Sequence, residues 1–164
     1  VRRDIMELGH SGTPNTGYEV RGLTADIAAC IDAPEGQQVG LLGIGNLGRA
    51  ILSYFSGGRR TGLRVVAAFD TEPEKVDRVV AGCRCYRLER LDEVVRAERI
   101  SVGIIAVPAE AAQAVADQLV AAGVTGILNL APVPIRVPPL VYVDHMDITV
   151  KLETVAYFAR KRKG

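Results

Sequence analysis

The clearest pattern along the chain is a set of short apolar runs that alternate with amphipathic segments. The runs are nearly continuous in apolar residues and lie at 39–44, 63–69, 102–107, 126–130 and 140–143. Such runs are typical of strands that are buried on both faces. The segments between them have helical spacing and lie at 47–55, 73–80, 91–97 and 109–122. A short element near 85–87 would complete the first half. This alternation predicts an α/β fold, a Rossmann-type doubly wound parallel sheet.

The two ends of the chain depart from this alternation. Residues 1–8 are amphipathic and have the pattern of a helix whose beginning is missing, and a turn-rich segment follows at 9–17. Thr24 is predicted to cap a short helix over 26–31. Residues 147–163 are predicted to form an apolar helix, which either folds back on the sheet or is donated to a neighbouring subunit.

Composition narrows the class of protein. The 164 residues are 48% hydrophobic and 24% charged, so one globular core is expected. The formal net charge is +1, so we expect no overall basic surface that would attract nucleic acid. The chain has an odd number of cysteines and no signal peptide or membrane-length apolar run, which favours a cytoplasmic protein with reduced thiols. A metal site is not expected, because Cys83 and Cys85 have no second pair and His10 and His145 lie in unrelated segments.

A glycine motif follows the most convincing strand. Gly43, Gly45 and Gly48 form the pattern G-x-G-x-x-G between that strand and the helix at 47–55. In a dinucleotide-binding fold the first glycine permits the tight turn, and the second lets the backbone approach the pyrophosphate. The third lets the helix pack close to the strand. The helix N-terminus would then face the phosphate charges.

An acidic residue at the end of the next strand strengthens this interpretation. Asp70 is placed to accept hydrogen bonds from the adenosine ribose hydroxyls and to repel a 2′-phosphate, which favours NAD(H) over NADP(H). The alternative is a strand-to-helix turn without a ligand, in which Asp70 only caps the next helix. The full predicted cofactor site comprises Gly43, Gly45, Asn46, Leu47, Gly48, Asp70, Thr71, Val107, Pro108, Asn129, Ala131 and Pro132.

No catalytic group is evident in the sequence. The two histidines are the obvious acid–base candidates, yet each lies in a loop-like segment, and no second large domain remains to form a substrate wall. A dinucleotide that is bound but not consumed indicates a sensor rather than an enzyme.

The order of motifs resembles the Rex family of bacterial redox-sensing transcriptional repressors. The resemblance covers nearly the whole chain and is carried by residues 1–5, 16–20, 43–50, 54, 69–76, 103–110, 126–133 and 147. It implies an NADH/NAD+-sensing repressor in which NADH closes the dimer and releases DNA. It also implies a homodimer with an exchanged C-terminal helix, so that Asp147 and Ile148 of one subunit lie near the nicotinamide pocket of the other. Tyr54 would face that region and pair with Asp147; by spacing alone, Asp147 is equally plausible as a helix N-cap.

The resemblance also predicts the domain organisation. Residues 1–21 would be the remnant of a winged-helix DNA-binding domain, 22–36 a connecting helix and linker, 37–146 the Rossmann domain, and 147–164 the swapped dimerisation helix. Arg2 and Arg3 are similar to DNA-phosphate contacts of the family, but the winged-helix domain is incomplete, so operator DNA is expected as a partner of the full-length protein rather than of this chain alone. No membrane partner is expected. Two other hypotheses stay open, an NAD-dependent oxidoreductase domain lacking its substrate domain, and a CoA-binding module.

Overall fold

The structure is a computed structural model in which the described residues are Thr24, 36–56 and 62–161. The chain divides into two compact units, one made of Val1–Gln37 and Arg60–Leu63, the other of Gln38–Arg59 and Arg64–Gly164. In the first unit Thr24 is helical. The predictions for residues 1–21, including Arg2 and Arg3, lie outside the described residues, as does most of the predicted connecting helix. The second unit contains nearly all of the sheet and the helices described below.

Strands and helices alternate along most of the described chain. The strands are β1 Gln37–Leu42, β2 Leu63–Asp70, β3 Arg78–Val80, β4 Cys83–Arg87, β5 Ile100–Ile105, β6 Gly126–Asn129 and β7 Tyr142–His145. The helices are α1 Asn46–Ser56, α2 Leu91–Ala97, α3 Ala109–Ala121 and α4 Ile148–Lys161, with a 3-10 turn at Leu88–Arg90.

The strands form one seven-stranded sheet in the order β3-β4-β2-β1-β5-β6-β7. The pairs β2–β4, β1–β5, β5–β6 and β6–β7 are parallel, and β3 runs antiparallel to β4. The chain therefore winds outward from β1 in one direction and from β5 in the other, which confirms the predicted doubly wound α/β fold. In such a sheet the switch point between β1 and β5 opens a crevice at the carboxyl ends of these strands.

The sheet separates two apolar cores, which explains why its strands are continuous apolar runs in the sequence. Neighbouring residues of one strand go to opposite cores: Leu41 packs with Leu52 of α1, whereas Leu42 packs with Val94 of α2 and Val115 of α3. The same alternation recurs on β2 and β5. Because helices cover both faces, almost every central position must be apolar.

The predicted helix at 73–80 is wrong. Residues 73–77 form a turn and Arg78–Val80 is the edge strand β3, paired residue by residue with β4. Ala81 and Gly82 both have positive φ, 47° and 81°, which suits the two-residue turn of a hairpin. The β-branched pair at Val79 and Val80 favours a strand once β4 lies beside it. The predicted strands at 39–44, 102–107 and 140–143 are each displaced by about two residues from β1, β5 and β7.

The C-terminal helix α4 packs few of its side chains. Its large apolar residues are exposed, as Leu152 at 67% illustrates, and all its described side chains except that of Ala156 are exposed. In the described part of the chain, no helix is long and apolar enough to cross a membrane. These residues also contain no group of three or more His, Cys, Asp or Glu side chains that could hold a metal ion.

Candidate functional site

The candidate site lies where β1, β2 and β5 end. The segments leaving β1 and β5 each stay bonded to a neighbouring strand for one more residue. The Gly43 N–H donates to the Phe69 carbonyl at 2.8 Å, and the Ala106 N–H donates to the Leu42 carbonyl at 2.8 Å. These bonds hold the loops at the carboxyl edge of the sheet in fixed positions.

The glycine turn has a different structural requirement at each glycine. Gly43 has a φ of +94°, and a Cβ there would lie 2.8 Å from the carbonyl carbon of Ala106. A Cβ on Gly48 would overlap the carbonyl group of Gly43, so α1 packs tightly on the turn. A Cβ on Gly45 would meet nothing within 4 Å, which leaves open space above the backbone. The helix α1 begins directly after it, at Asn46, with its unpaired N–H groups at this end.

Asp70 connects the end of β2 to the glycine turn. Its Oδ2 accepts a hydrogen bond from the Ile44 N–H at 2.7 Å, and its Oδ1 accepts from the N–H groups of Thr71 at 2.8 Å and Glu72 at 3.0 Å. Burial alone would raise the pKa of Asp70. The three N–H donors, together with the positive charge of Lys75, outweigh burial and hold the pKa of Asp70 below its ordinary value of 3.8. Asp70 is thus a carboxylate at neutral pH.

A second carboxylate and an ammonium lie beside Asp70. The Lys75 Nζ is 2.6 Å from Glu72 Oε1 and 3.7 Å from Asp70 Oδ2. The Lys75 side chain is only 18% exposed and that of Asp70 9%. Because of the hydrogen bond to Glu72, the pKa of Lys75 is raised, so its ammonium stays charged.

These groups line a cleft of about 490 Å³ at the switch point. Of the predicted cofactor residues, nine line it: Gly43, Gly45, Asn46, Leu47, Asp70, Thr71, Val107, Pro108 and Pro132. Much of the remaining wall is apolar, with Leu88, Val115 and Leu130 among its residues. A cleft with apolar walls and a few fixed polar groups is the usual form of a small-molecule site.

The other three predicted residues lie just outside the cleft. Gly48 is buried behind the turn, and Ala131 lines a second cavity of about 210 Å³ together with His145 and Asp147. Asn129 is 1% exposed and organises the loop after β6. Its Oδ1 accepts from the Ala131 N–H at 3.1 Å, and its Nδ2 donates to the Val133 carbonyl at 2.7 Å.

Asn129 also reaches His145 at the end of β7. Its Nδ2 lies 3.0 Å from His145 Nδ1. Since the other two bonds fix the orientation of the amide, Nδ2 is the donor in this contact and His145 Nδ1 the acceptor. The sequence placed Asn129 in the cofactor site but did not indicate this bond, because it joins residues from different strands.

The residues predicted for the dimer switch lie on the two helices α1 and α4. Asp147 Oδ1 accepts from the N–H groups of Thr149 at 2.8 Å and Val150 at 3.3 Å, so it is the N-cap of α4. Ile148 is exposed at the first position of that helix. Tyr54 is half exposed on α1 and stacks edge-on against Phe55, outside the described lining of both cavities. A pairing of Tyr54 with Asp147 across two subunits stays a prediction.

Sequence reasoning missed Glu72 and Lys75 as site residues. Both lie in the stretch 69–76 that carried part of the resemblance. Their position was the available signal, because residues that directly follow β2 lie at the same carboxyl end of the sheet as Asp70 and so face the same crevice.

The sequence of the chain is similar to those of known proteins. Residues 35–133 match the model of the CoA binding domain family. The redox-sensing transcriptional repressor Rex of Desulfitobacterium hafniense is 38% identical over the whole chain and 78% of that relative. The chain belongs to the Rex family. The Rex of Streptomyces coelicolor is also 38% identical over the whole chain, which spans 63% of that relative's length.

Solved structures of a Rex-family repressor share the fold. RSP superimposes with a TM-score of 0.81 at 26% identity, over 99% of this chain and 75% of that one. RSP in complex with β-NAD+ and operator DNA gives a TM-score of 0.81 at 26% identity, over 99% of this chain and 74% of that one. RSP with β-NADH gives 0.78 at 27% identity, over 90% and 71% of the two chains.

Proposed function

We propose that this chain is the sensor and dimerisation core of an NADH/NAD+-responsive transcriptional repressor, which leaves its operator when NADH closes the dimer. The observation that carries the proposal is the Asp70 carboxylate at the rim of the cleft, bonded to the glycine turn through the Ile44 N–H. Support also comes from the Rex relatives, which are named redox-sensing transcriptional repressors, and from RSP, which has been solved with β-NAD+, β-NADH and operator DNA.

The residues of the cleft fit NAD(H). A carboxylate has about four lone-pair positions, and Asp70 uses three for backbone N–H groups, so one stays available to a ribose hydroxyl. The open space above Gly45 and the N-terminus of α1 suit the pyrophosphate. The described titratable residues of the lining, Asp70, Glu72 and Lys75, interact with one another near the end of β2. The proposed read-out of the bound cofactor is a conformational change and not turnover.

The exposed helix α4 is the proposed dimer element. A soluble monomer rarely exposes so large a run of apolar side chains on one helix. Exchange of α4 between two copies would bury these side chains and bring Asp147 and Ile148 near the nicotinamide end of the partner's cleft. There a carboxylate distinguishes NAD+ from NADH, because only the oxidised ring carries a positive charge. A coupling of about 1–3 kcal/mol between ligand form and dimer conformation is enough for a switch.

In the full-length protein, the proposed winged-helix remnant 1–21 would take part in operator binding, with Arg2 and Arg3 on the phosphates. A repressor that meets operator DNA in this way acts in the cytoplasm. Phosphate contacts of this kind give affinity without sequence readout, so operator choice would depend on other groups of the complete DNA-binding domain.

The central experiment is a calorimetric titration of the chain with NADH and NAD+. We expect NADH to bind more tightly than NAD+. Equal affinity for the two redox forms would exclude the sensor, and turnover of bound NADH with a simple carbonyl compound would favour the oxidoreductase alternative.

Dimerisation is tested with a pair of substitutions on α4. Leu152→Asp places a charge in the apolar run and is expected to give a monomer in light scattering. Lys151→Asp changes the charge of the preceding residue and should leave the dimer intact. A dimer that survives Leu152→Asp would contradict helix exchange.

A CoA-binding function is the second candidate, because residues 35–133 match the CoA binding domain family. The same glycine turn can receive the pyrophosphate of CoA. Competition of CoA against bound NADH separates the two: displacement at concentrations close to those of NADH would favour the CoA-binding module.

A further inference from the structure

We infer that Glu72 is a specificity-determining residue of the cleft, because it engages the Lys75 ammonium that would otherwise pair with a 2′-phosphate and admit NADP(H). This inference rests on the proposed function, in which the cleft binds NAD(H) with the adenosine ribose at Asp70. The Glu72–Lys75 pair then contributes to the discrimination between NAD(H) and NADP(H), which would otherwise depend on Asp70 alone.

The positions of three charged side chains place Glu72 in competition for Lys75. Asp70, Glu72 and Lys75 line the same cleft, and the ammonium of Lys75 is 2.6 Å from Glu72 Oε1. The backbone fixes this arrangement, since the Glu72 N–H donates to Asp70 Oδ1 at 3.0 Å and the Lys75 N–H donates to the Glu72 carbonyl at 3.0 Å. Glu72 is therefore held beside Lys75, where it competes with any anion in the cleft for that ammonium.

The charge of the rim disfavours a 2′-phosphate. Two carboxylates and one ammonium leave it with a net charge of −1. A 2′-hydroxyl donates a hydrogen bond to this rim at little cost, whereas a 2′-phosphate brings about two more negative charges. Neutralising Glu72 would bring the net charge of these three groups to zero and so weaken the repulsion of a 2′-phosphate.

The side chain of Lys75 is flexible enough to change its partner. Its ammonium is a compact charge on a flexible four-carbon stem, so it can turn toward a phosphate once its partner is removed. Glu72 is itself mostly exposed, with a side chain at 61%, so its replacement does not disturb the core. Removing this one carboxylate changes the electrostatic preference of the rim without changing its shape.

The experiment compares three variants with the wild-type chain in fluorescence titrations with NADH and with NADPH. Glu72→Gln is expected to lower the Kd for NADPH about five- to tenfold and to change the Kd for NADH less than about twofold, the effect of one partly exposed charge pair. Glu74→Gln is the matched control, because it removes an equal charge from the same turn without freeing Lys75. The double variant Glu72→Gln with Lys75→Met should lose the gain for NADPH.

The outcomes separate this inference from the proposed function. If the wild-type chain binds NADH and Glu72→Gln does not improve NADPH binding beyond Glu74→Gln, the role of Glu72 is overturned. If the double variant keeps the improvement, the release of Lys75 is overturned as its cause. If neither dinucleotide binds the wild-type chain, the proposed function fails first and this inference falls with it.

Discussion

Replacement of Asp70 by asparagine tests whether one side chain serves both the fold and the ligand. The carboxylate accepts from Ile44 on one oxygen and from Thr71 and Glu72 on the other. An asparagine keeps one acceptor oxygen, so in either orientation its NH₂ group faces N–H donors that have lost their partner. A hydrogen bond to a charged group contributes about 1.5–3 kcal/mol, so we expect Asp70→Asn to lower the free energy of unfolding by about 2 kcal/mol.

The pH dependence of this loss has a definite sign. The pKa of Asp70 is lowered in the folded chain, so its ionised form stabilises the fold. That contribution is fully present above the unfolded pKa of about 3.9 and is lost as the pH falls through the lower folded value. The difference in unfolding free energy between wild type and Asp70→Asn should therefore be constant above about pH 5 and shrink below about pH 4.

Thermal unfolding and NADH titration measure the two roles separately. A loss of about 2 kcal/mol should lower the Tm by about 4–8 °C in a chain of this size. The Kd for NADH should rise about 10- to 100-fold, because the ribose loses a charged acceptor. Glu74→Gln, an exposed carboxylate in the following turn, serves as control and should change neither quantity. A lower Tm with an unchanged Kd for NADH would show that Asp70 only supports the turn.

Three substitutions and one labelling experiment test other parts of the structure. Gly48→Ala should cost about 2 kcal/mol or more in a denaturant titration, because its Cβ overlaps the Gly43 carbonyl, while Gly45→Ala should keep the stability and weaken only NADH binding. Asn129→Leu should destabilise by about 3 kcal/mol in the same assay, since the Ala131 N–H and the Val133 carbonyl lose their partner; a change under about 1 kcal/mol would contradict its organising role. Burial raises the pKa values of the Cys83 and Cys85 thiols to about 11, so a thiol reagent at neutral pH should label them only after unfolding. Rapid labelling of either residue in the folded chain, located by peptide mass mapping so that it is distinguished from Cys30, would refute this.

The parts of the fold that sequence predicts well are those in which local pattern and tertiary environment agree. The run ending at Phe69 and Asp70 is an example: both faces of β2 are covered, so the run is apolar, and the first polar residue marks the edge of the sheet. Gly43 and Gly48 are predictable for a similar reason, since each must lack a Cβ where backbone approaches backbone. Gly48 approaches Gly43 five positions away and Gly43 approaches Ala106 far along the chain, but in both cases the requirement shows in the sequence as a glycine of the turn motif.

The parts that sequence does not predict depend on partners far along the chain. Residues 73–80 start with Pro73 and have helical spacing, yet pairing of Val79 with Arg84 makes the end of this segment a strand. The bond between Asp70 and the Ile44 N–H spans 26 positions, and that between Asn129 and His145 spans 16. Neither bond has a local signal, because the strand order alone brings its two ends together.

The bond between Asn129 and His145 gives the cleft a physical connection to the C-terminal helix α4. Asn129 holds the loop that includes Pro132, a residue that lines both cavities, and it also holds His145, which lies two residues before the N-cap of α4. The Met146 N–H donates to the Asn129 carbonyl at 2.9 Å, so the backbone is tied at the same place. A ligand that displaces the loop after β6 must therefore either carry the start of α4 with it or break these bonds. Because Asn129 is buried, breaking them leaves polar groups without partners, which favours joint movement of loop and helix.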